Sequence, residues 1–160
     1  QFWRDEVRKI QSQYPDIVLN DMLADNAAMQ LVRDPRQFDV ILTQNLFGDI
    51  LSDITAMITG SLGMLPSASI GSKHAMYEPV HGTAPEIAGK NIANPIAMIA
   101  SLSMMLEFTI KDSRTSHELD RSISQVLNEG MRTHDIAQVG DNVLNTHEMA
   151  QAIIDAFIDL

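Results

Sequence analysis

DNAAMQLVRDPRQFDVILTQNLFGDILSD, residues 25–53, changes its hydrophobic period twice. The first part carries apolar residues at helical spacing and stops at Pro35, which cannot continue a helix. FDVILT (38–43) is a continuous apolar run suited to a buried strand, and from Leu46 a second helical pattern should extend to about Ile58. Working outward, residues 2–13 are polar with apolar positions at Val7 and Ile10 ahead of Pro15, as expected of a surface helix. DIVLNDML (16–23) is rich in β-branched and apolar residues and reads as a short strand. Helix, strand, helix, strand is an α/β alternation. The chain begins at Gln1 inside a helix-like sequence with no cap in front of it, so it is expected to be a piece of a larger chain.

Beyond Gly60 the character changes. Glycine, proline and serine punctuate residues 60–72, and EPVHGTAPEIAGKNIANP (78–95) has no sustained period, so both are expected to be loop, where function often sits. The remainder should be helical. PIAMIASLSMMLEFTI (95–110) is apolar nearly all round and is expected to be buried. TSHELDRSISQVLNEG (115–130) opens on a capping-box pattern at Thr115 and Glu118 and stops at Gly130, and THEMAQAIIDAFIDL (146–160) closes the chain. The break near residues 59–63 divides the chain into an expected N-terminal α/β part, 1–59, and a C-terminal part, 60–160.

Composition narrows the function. A chain of 160 residues with 45% hydrophobic content is long and apolar enough for a globular core. Its net charge is −10 and it has no basic cluster, which argues against a nucleic-acid partner. No apolar run approaches the roughly 20 residues of a membrane span and no signal-peptide pattern opens the chain, so a soluble, cytoplasmic protein is expected. With no cysteine there are no disulfides or thiolate metal sites, and a bound metal would need oxygen or imidazole ligands. The ten methionines are core filler rather than a site.

Asp49 and Asp53 stand four apart in an otherwise apolar helical stretch, where like charges oppose helix formation by a few tenths of a kcal/mol. Two readings fit: both carboxylates face water, or a divalent cation bridges them. Ile50, Leu51, Ile54 and Met57 leave only a narrow polar stripe, which favours the cation, and carboxylate oxygens suit Mg²⁺ or Mn²⁺. Asp25, opening the earlier helix, is the candidate third ligand or else an ordinary helix N-cap.

The blocks containing these residues, together with GSLGMLPSAS (60–69) and YEPVHGTAPEIAGKNIANP (77–95), resemble the β-decarboxylating dehydrogenases of the isocitrate/isopropylmalate type. GSLGMLPSAS resembles the isopropylmalate branch. The resemblance implies a two-domain α/β fold of which this chain supplies the C-terminal half: residues 1–59 part of the central, dimer-forming substrate domain, and 60–160 the later part of the cofactor domain. It implies oxidation of a metal-bound 2-hydroxy acid by a nicotinamide cofactor, with loss of CO₂, as in the step from 3-isopropylmalate to 2-oxoisocaproate in leucine biosynthesis. Tartrate/malate, homoisocitrate and isocitrate dehydrogenases are the alternatives within that class, and a non-catalytic relative or binding module lies outside it.

By position, the resemblance makes Asp49 and Asp53 metal ligands from one subunit of a homodimer, and Asp25 a metal and substrate ligand reaching across from the other. The loop His81, Gly82, Thr83, Ala84, Pro85, Glu86, Ile87 to Ala93 and Asn94 corresponds to the family's cofactor loop, which holds the adenosine end without a Gly-rich Rossmann turn. Glu86 stands where an acid would accept ribose hydroxyls and repel a 2′-phosphate, so NAD is the expected cofactor beside Mg²⁺ or Mn²⁺. Glycine, threonine and alanine at 82–84 leave the backbone open to a dinucleotide. The lysine and tyrosine that transfer protons in the family are expected in sequence preceding Gln1. Lys9, Lys73, Lys90, Lys111, Tyr14 and Tyr77 do not stand in the matching context, so no acid or base is assigned here. A solitary chain of this kind is expected to expose apolar surface.

Overall fold

The computed structural model describes residues 2–159, which fall into two compact units, Gln1–Ile54 and Thr55–Leu160. The division lies inside a helix.

The first unit begins with α1 (Phe2–Gln11), which buries no residue. Lys9 bonds Glu6 at 2.6 Å along its surface, and Arg8 pairs with Asp21 in the segment that follows. α2 (Ala24–Arg33) ends before Pro35, and Pro35–Gln37 form a single 3-10 turn. α3 (Asn45–Thr59) is the long helix of the 46–58 pattern. The core of this unit is small: Ala27 and Leu31 of α2 close on Leu51 of α3, with Ala28 and Phe38 at the margin. Two expectations change. Residues 16–23 and 38–43 form no strand: Asp16 lies in a turn, Ile17 and Asp39 lie in bends, and the rest is irregular. A strand is defined by the ladder it shares with a neighbour, and among the described residues these runs have no neighbour. Val40 and Leu42 are accordingly 86% and 62% exposed, so the apolar run is not buried in this chain.

The second unit holds the larger core. After Gly60, a 3-10 turn Leu62–Met64 leads into β1 (Pro66–Ile70), which pairs antiparallel with β2 (Ala75–Pro79) in register Pro66↔Pro79 to Ile70↔Ala75. The expected loop at 60–72 thus contains half a hairpin. Its serines and Pro66 hid a strand with little apolar alternation. α4 (Ile96–Met105) continues through a π-helical turn, Leu106–Ile110, and packs against the hairpin and α5 (Ser113–Asn128). A hydroxyl pair, Ser103 and Ser116 at 2.9 Å, is buried between α4 and α5. α5 starts two residues before the expected cap: Asp112, not Thr115, is the N-cap, accepting from the Thr115 amide at 3.1 Å and its hydroxyl at 2.7 Å. Gly130 ends that helix at φ +82°, a left-handed position glycine occupies without steric cost.

Residues between the last two helices also hold strands that the sequence did not announce. β3 (Met131–Thr133) and β4 (Asn142–Leu144) pair in parallel over three residues each, too short for a period to show. α6 (Thr146–Ile158) carries a full capping box, Asn145 with Glu148. Leu119, Ile123 and Val126 on α5 and Met149, Ile153 and Ala156 on α6 repeat at i, i+4 and i+7, and these two stripes close on Ile96 to make the core. α4 is buried on one side only. Its small residues Ala97, Ser101 and Ser103 face inward, while Met98 and Leu102 remain 56% and 45% exposed, as does Phe108 in the π-helical turn at 43%.

Candidate functional site

Asp49 and Asp53 lie on one face of α3, and both are exposed. Asn45, one turn earlier, donates from Nδ2 to Asp49 Oδ2 at 2.9 Å, which orients that carboxylate. Leu51, which binds α3 to α2, is two residues from each aspartate and so about 200° around the helix from both. The contact with α2 therefore occupies the side of α3 opposite the carboxylates. That explains where Asp25 falls. It is exposed, is the second residue of α2 rather than its cap, and accepts from the Asn26 amide at 2.8 Å. Among the described residues no three acidic or imidazole groups gather as a metal site, so Asp25 is not brought to Asp49 and Asp53 inside one chain. The chemistry of the pair, two exposed carboxylates one helical turn apart, fits part of the oxygen shell of a hard divalent cation.

The loop at 81–94 belongs to the second unit, and its residues 81–83 are exposed. His81 Nδ1 lies 2.8 Å from the Gly82 carbonyl, which can only accept, so Nδ1 is the donor. A Cβ placed on Gly82 would meet nothing within 4 Å, which means the space beside this backbone is open to a ligand. Ala84 adopts φ +42°, a left-handed conformation costly for a residue with a Cβ, and from it Pro85–Ile87 form a 3-10 turn that exposes Glu86. Ile87 donates back to the Ala84 carbonyl at 3.0 Å. Such strain persists only where surroundings enforce it, and here it turns the chain between the histidine and the acid.

The far end of the loop is anchored by α6. Asn91 accepts the Thr146 amide through its carbonyl at 3.1 Å and the His147 amide through Oδ1 at 3.2 Å, while the Thr146 hydroxyl donates to the Ala93 carbonyl at 2.6 Å. Amides that a helix N-terminus cannot satisfy internally thus hold the loop in place. Asn94 is 9% exposed, and its side-chain oxygen caps α4 by accepting from the Ile96 amide at 2.9 Å. Its amide nitrogen donates to Asp135 Oδ2 at 3.2 Å and lies 3.4 Å from the Met64 sulfur. Asp135 was not singled out from the sequence; it sits in the turn between β3 and β4, themselves unannounced. Partial burial works against its charge, but hydrogen bonds led by the Ser61 hydroxyl and including the Asn94 amide outweigh it and hold its carboxyl below the usual range.

The family described as isocitrate/isopropylmalate dehydrogenase matches residues 1–153, and the chain belongs to that family. A protein of Chlorobium luteolum named 3-isopropylmalate dehydrogenase is 61% identical over 96% of this chain and 44% of its own length. One from Pseudomonas fluorescens with the same name is 51% identical over 100% of this chain and 45% of its own. Among solved structures, isocitrate dehydrogenase from Methylococcus capsulatus superposes with a TM-score of 0.88 at 43% identity, covering 94% of this chain and 44% of that one. A β-decarboxylating dehydrogenase from Thermococcus kodakarensis gives 0.82 at 37% identity, over 99% and 45%. The fold is therefore the α/β fold of these dehydrogenases, of which the chain spans a C-terminal half, about 44% of the length of the relatives it matches.

Proposed function

We propose that this chain carries the metal-binding aspartates and the dinucleotide loop of an NAD-dependent, metal-requiring oxidative decarboxylase acting on 3-isopropylmalate in leucine biosynthesis. The observation that carries this reading is the exposed Asp49–Asp53 pair on α3, on the side opposite the α2 contact, in a sequence that matches the family over residues 1–153. Relatives named for isopropylmalate at 50–61% identity favour that substrate over isocitrate.

Bound at Asp49 and Asp53, Mg²⁺ or Mn²⁺ would supply a Lewis acid for the substrate hydroxyl and for the negative charge left after CO₂ departs. The protein's part is to hold and aim. Asn45 orients Asp49, and the rigid turn between Asp49 and Asp53 sets their spacing. Because the α2 contact takes the opposite side of α3, a third carboxylate from Asp25 would have to come from a second copy, which supports a homodimer with a shared ligand set. In the second unit, the open space at Gly82 admits the adenosine half of a dinucleotide and exposed Glu86 selects NAD by its charge. On this reading the first unit belongs to the substrate and dimer-forming domain and the second to the cofactor domain. No helix among the described residues is long and apolar enough to cross a membrane, in keeping with a cytoplasmic place for the enzyme.

The test is turnover by the full-length protein. Reduction of NAD with 3-isopropylmalate and Mn²⁺, lost on chelation and in Asp49→Asn, is expected. Turnover with isocitrate or tartrate but not isopropylmalate would transfer the assignment within the family, and no dinucleotide-dependent turnover with any hydroxy acid would overturn it.

A further inference from the structure

We propose that Asp135 is a positioning residue for the dinucleotide loop: it holds the Asn94 amide and thereby joins the end of the loop to the turn at residues 61–65. The inference rests on reading residues 81–94 as that loop. Every polar atom of the Asn94 side chain is engaged. Its oxygen takes the Ile96 amide at 2.9 Å, and its nitrogen serves Asp135 at 3.2 Å and Met64 at 3.4 Å. These partners also determine which way the amide points, because the opposite orientation would set its oxygen against a carboxylate. The Ser61 hydroxyl favours the charged form of Asp135, and its oxygen accepts the Gly63 amide at 3.0 Å.

Hydrogen bonds join Gly63 to Ser61 and Asn94 to Asp135, and packing brings the two pairs together. A Cβ built on Gly63 would lie 2.8 Å from Asn94 Cβ and 3.2 Å from Asp135 Oδ2. Three segments far apart in sequence, at 61–64, 94 and 135, therefore meet at one point. One end of the loop is held by α6 through Asn91 and Ala93, and this cluster is what holds the adjacent residue against the rest of the unit. Asp135 contributes the only charge among the hydrogen-bonding groups named here, and a charged acceptor makes a stronger bond than a neutral one. Its action on a ligand is indirect, through the position of Asn94.

The experiment uses the full-length protein and measures KM for the dinucleotide, KM for the hydroxy acid, kcat and the melting temperature. Asp135→Ala is expected to raise dinucleotide KM about tenfold, the usual scale of one lost charge-assisted hydrogen bond, with kcat and hydroxy-acid KM within about twofold. Asn94→Asp, which sets two carboxylates against each other, should do the same or worse. The swapped double variant Asn94→Asp/Asp135→Asn restores one carboxylate and one amide in reversed order, and should bring dinucleotide KM back to within about threefold of wild type. Rescue by the swap decides the matter even if Asp135→Ala fails to fold. A swapped variant no better than Asn94→Asp, or an Asp135→Ala enzyme whose dinucleotide KM does not change, overturns the positioning role. A wild-type enzyme that binds no dinucleotide instead overturns the reading of the loop on which the role rests.

Discussion

Gly63→Ala puts a single methyl group into the point where three segments meet, and the structure sets its cost. The new Cβ would stand 2.8 Å from Asn94 Cβ, 3.2 Å from Asp135 Oδ2 and 3.3 Å from Asn94 Cγ. The first of these is below any ordinary carbon–carbon contact, and the atom it meets is not the free end of a long side chain. Asn94 Cβ is held by its backbone on one side and by an amide bonded to Ile96 and Asp135 on the other. Relief therefore requires moving the loop or breaking those bonds, and overpacking of this kind costs about 1–3 kcal/mol. Against it stands the gain from restricting the unfolded chain, about 0.4–1 kcal/mol, available because Gly63 does not occupy a left-handed conformation. The balance is a loss of roughly 1–2 kcal/mol, and at about 2–4 °C for each kcal/mol the melting temperature of the full-length protein should fall by roughly 2–8 °C. Gly82→Ala is the internal comparison. Its Cβ meets nothing within 4 Å, so stability should change by less than about 0.5 kcal/mol while dinucleotide affinity falls, because only a ligand would feel the methyl. The melt is read by calorimetry and the affinity by titration with NADH. A Gly63→Ala protein that melts at or above wild type would refute the packing argument, and a Gly82→Ala protein that binds NADH normally would refute the open-cradle argument.

Further outcomes follow from single residues. Mn²⁺ in hundredfold excess over its dissociation constant should stabilise the native full-length protein by about 2.7 kcal/mol, and Asp49→Asn or Asp53→Asn should abolish that upward shift in a thermal melt. Asn145→Ala removes the α6 capping box and should cost about 1 kcal/mol in denaturant unfolding, since the Glu148 amide loses its acceptor at 3.0 Å. The Thr115 hydroxyl, then the Thr115 amide, hold the Asp112 carboxyl below its ordinary value. A depressed folded pKa stabilises above the unfolded value of about 3.9 and loses that contribution as pH falls through the folded one, so Asp112→Asn should flatten the acid limb of the stability profile below about pH 4. Glu86→Lys should shift dinucleotide preference from NAD toward NADP, measured as the ratio of kcat/KM for the two cofactors.

Local physics alone determined the helices of this chain. Pro35 stops α2 and Gly130 ends α5, although α5 starts at the Asp112 cap rather than at Thr115. The acidic pair at Asp49 and Asp53 was equally legible, because two like charges on a narrow polar stripe are a local anomaly that needs no partner to be seen. Strands were a different matter. FDVILT has the composition of a buried strand but no neighbour here to share a ladder, whereas PSASI lacks the composition and is a strand because AMYEP lies beside it. Pairing is a property of two segments, and one segment's sequence does not contain it. The same holds for Asp135: nothing at that position marks it in the chain, and its significance arises only when folding brings it to Asn94, 41 residues earlier, and to the hydroxyl of Ser61. Side-chain chemistry is written residue by residue, but the distance at which two groups meet is decided by the tertiary structure.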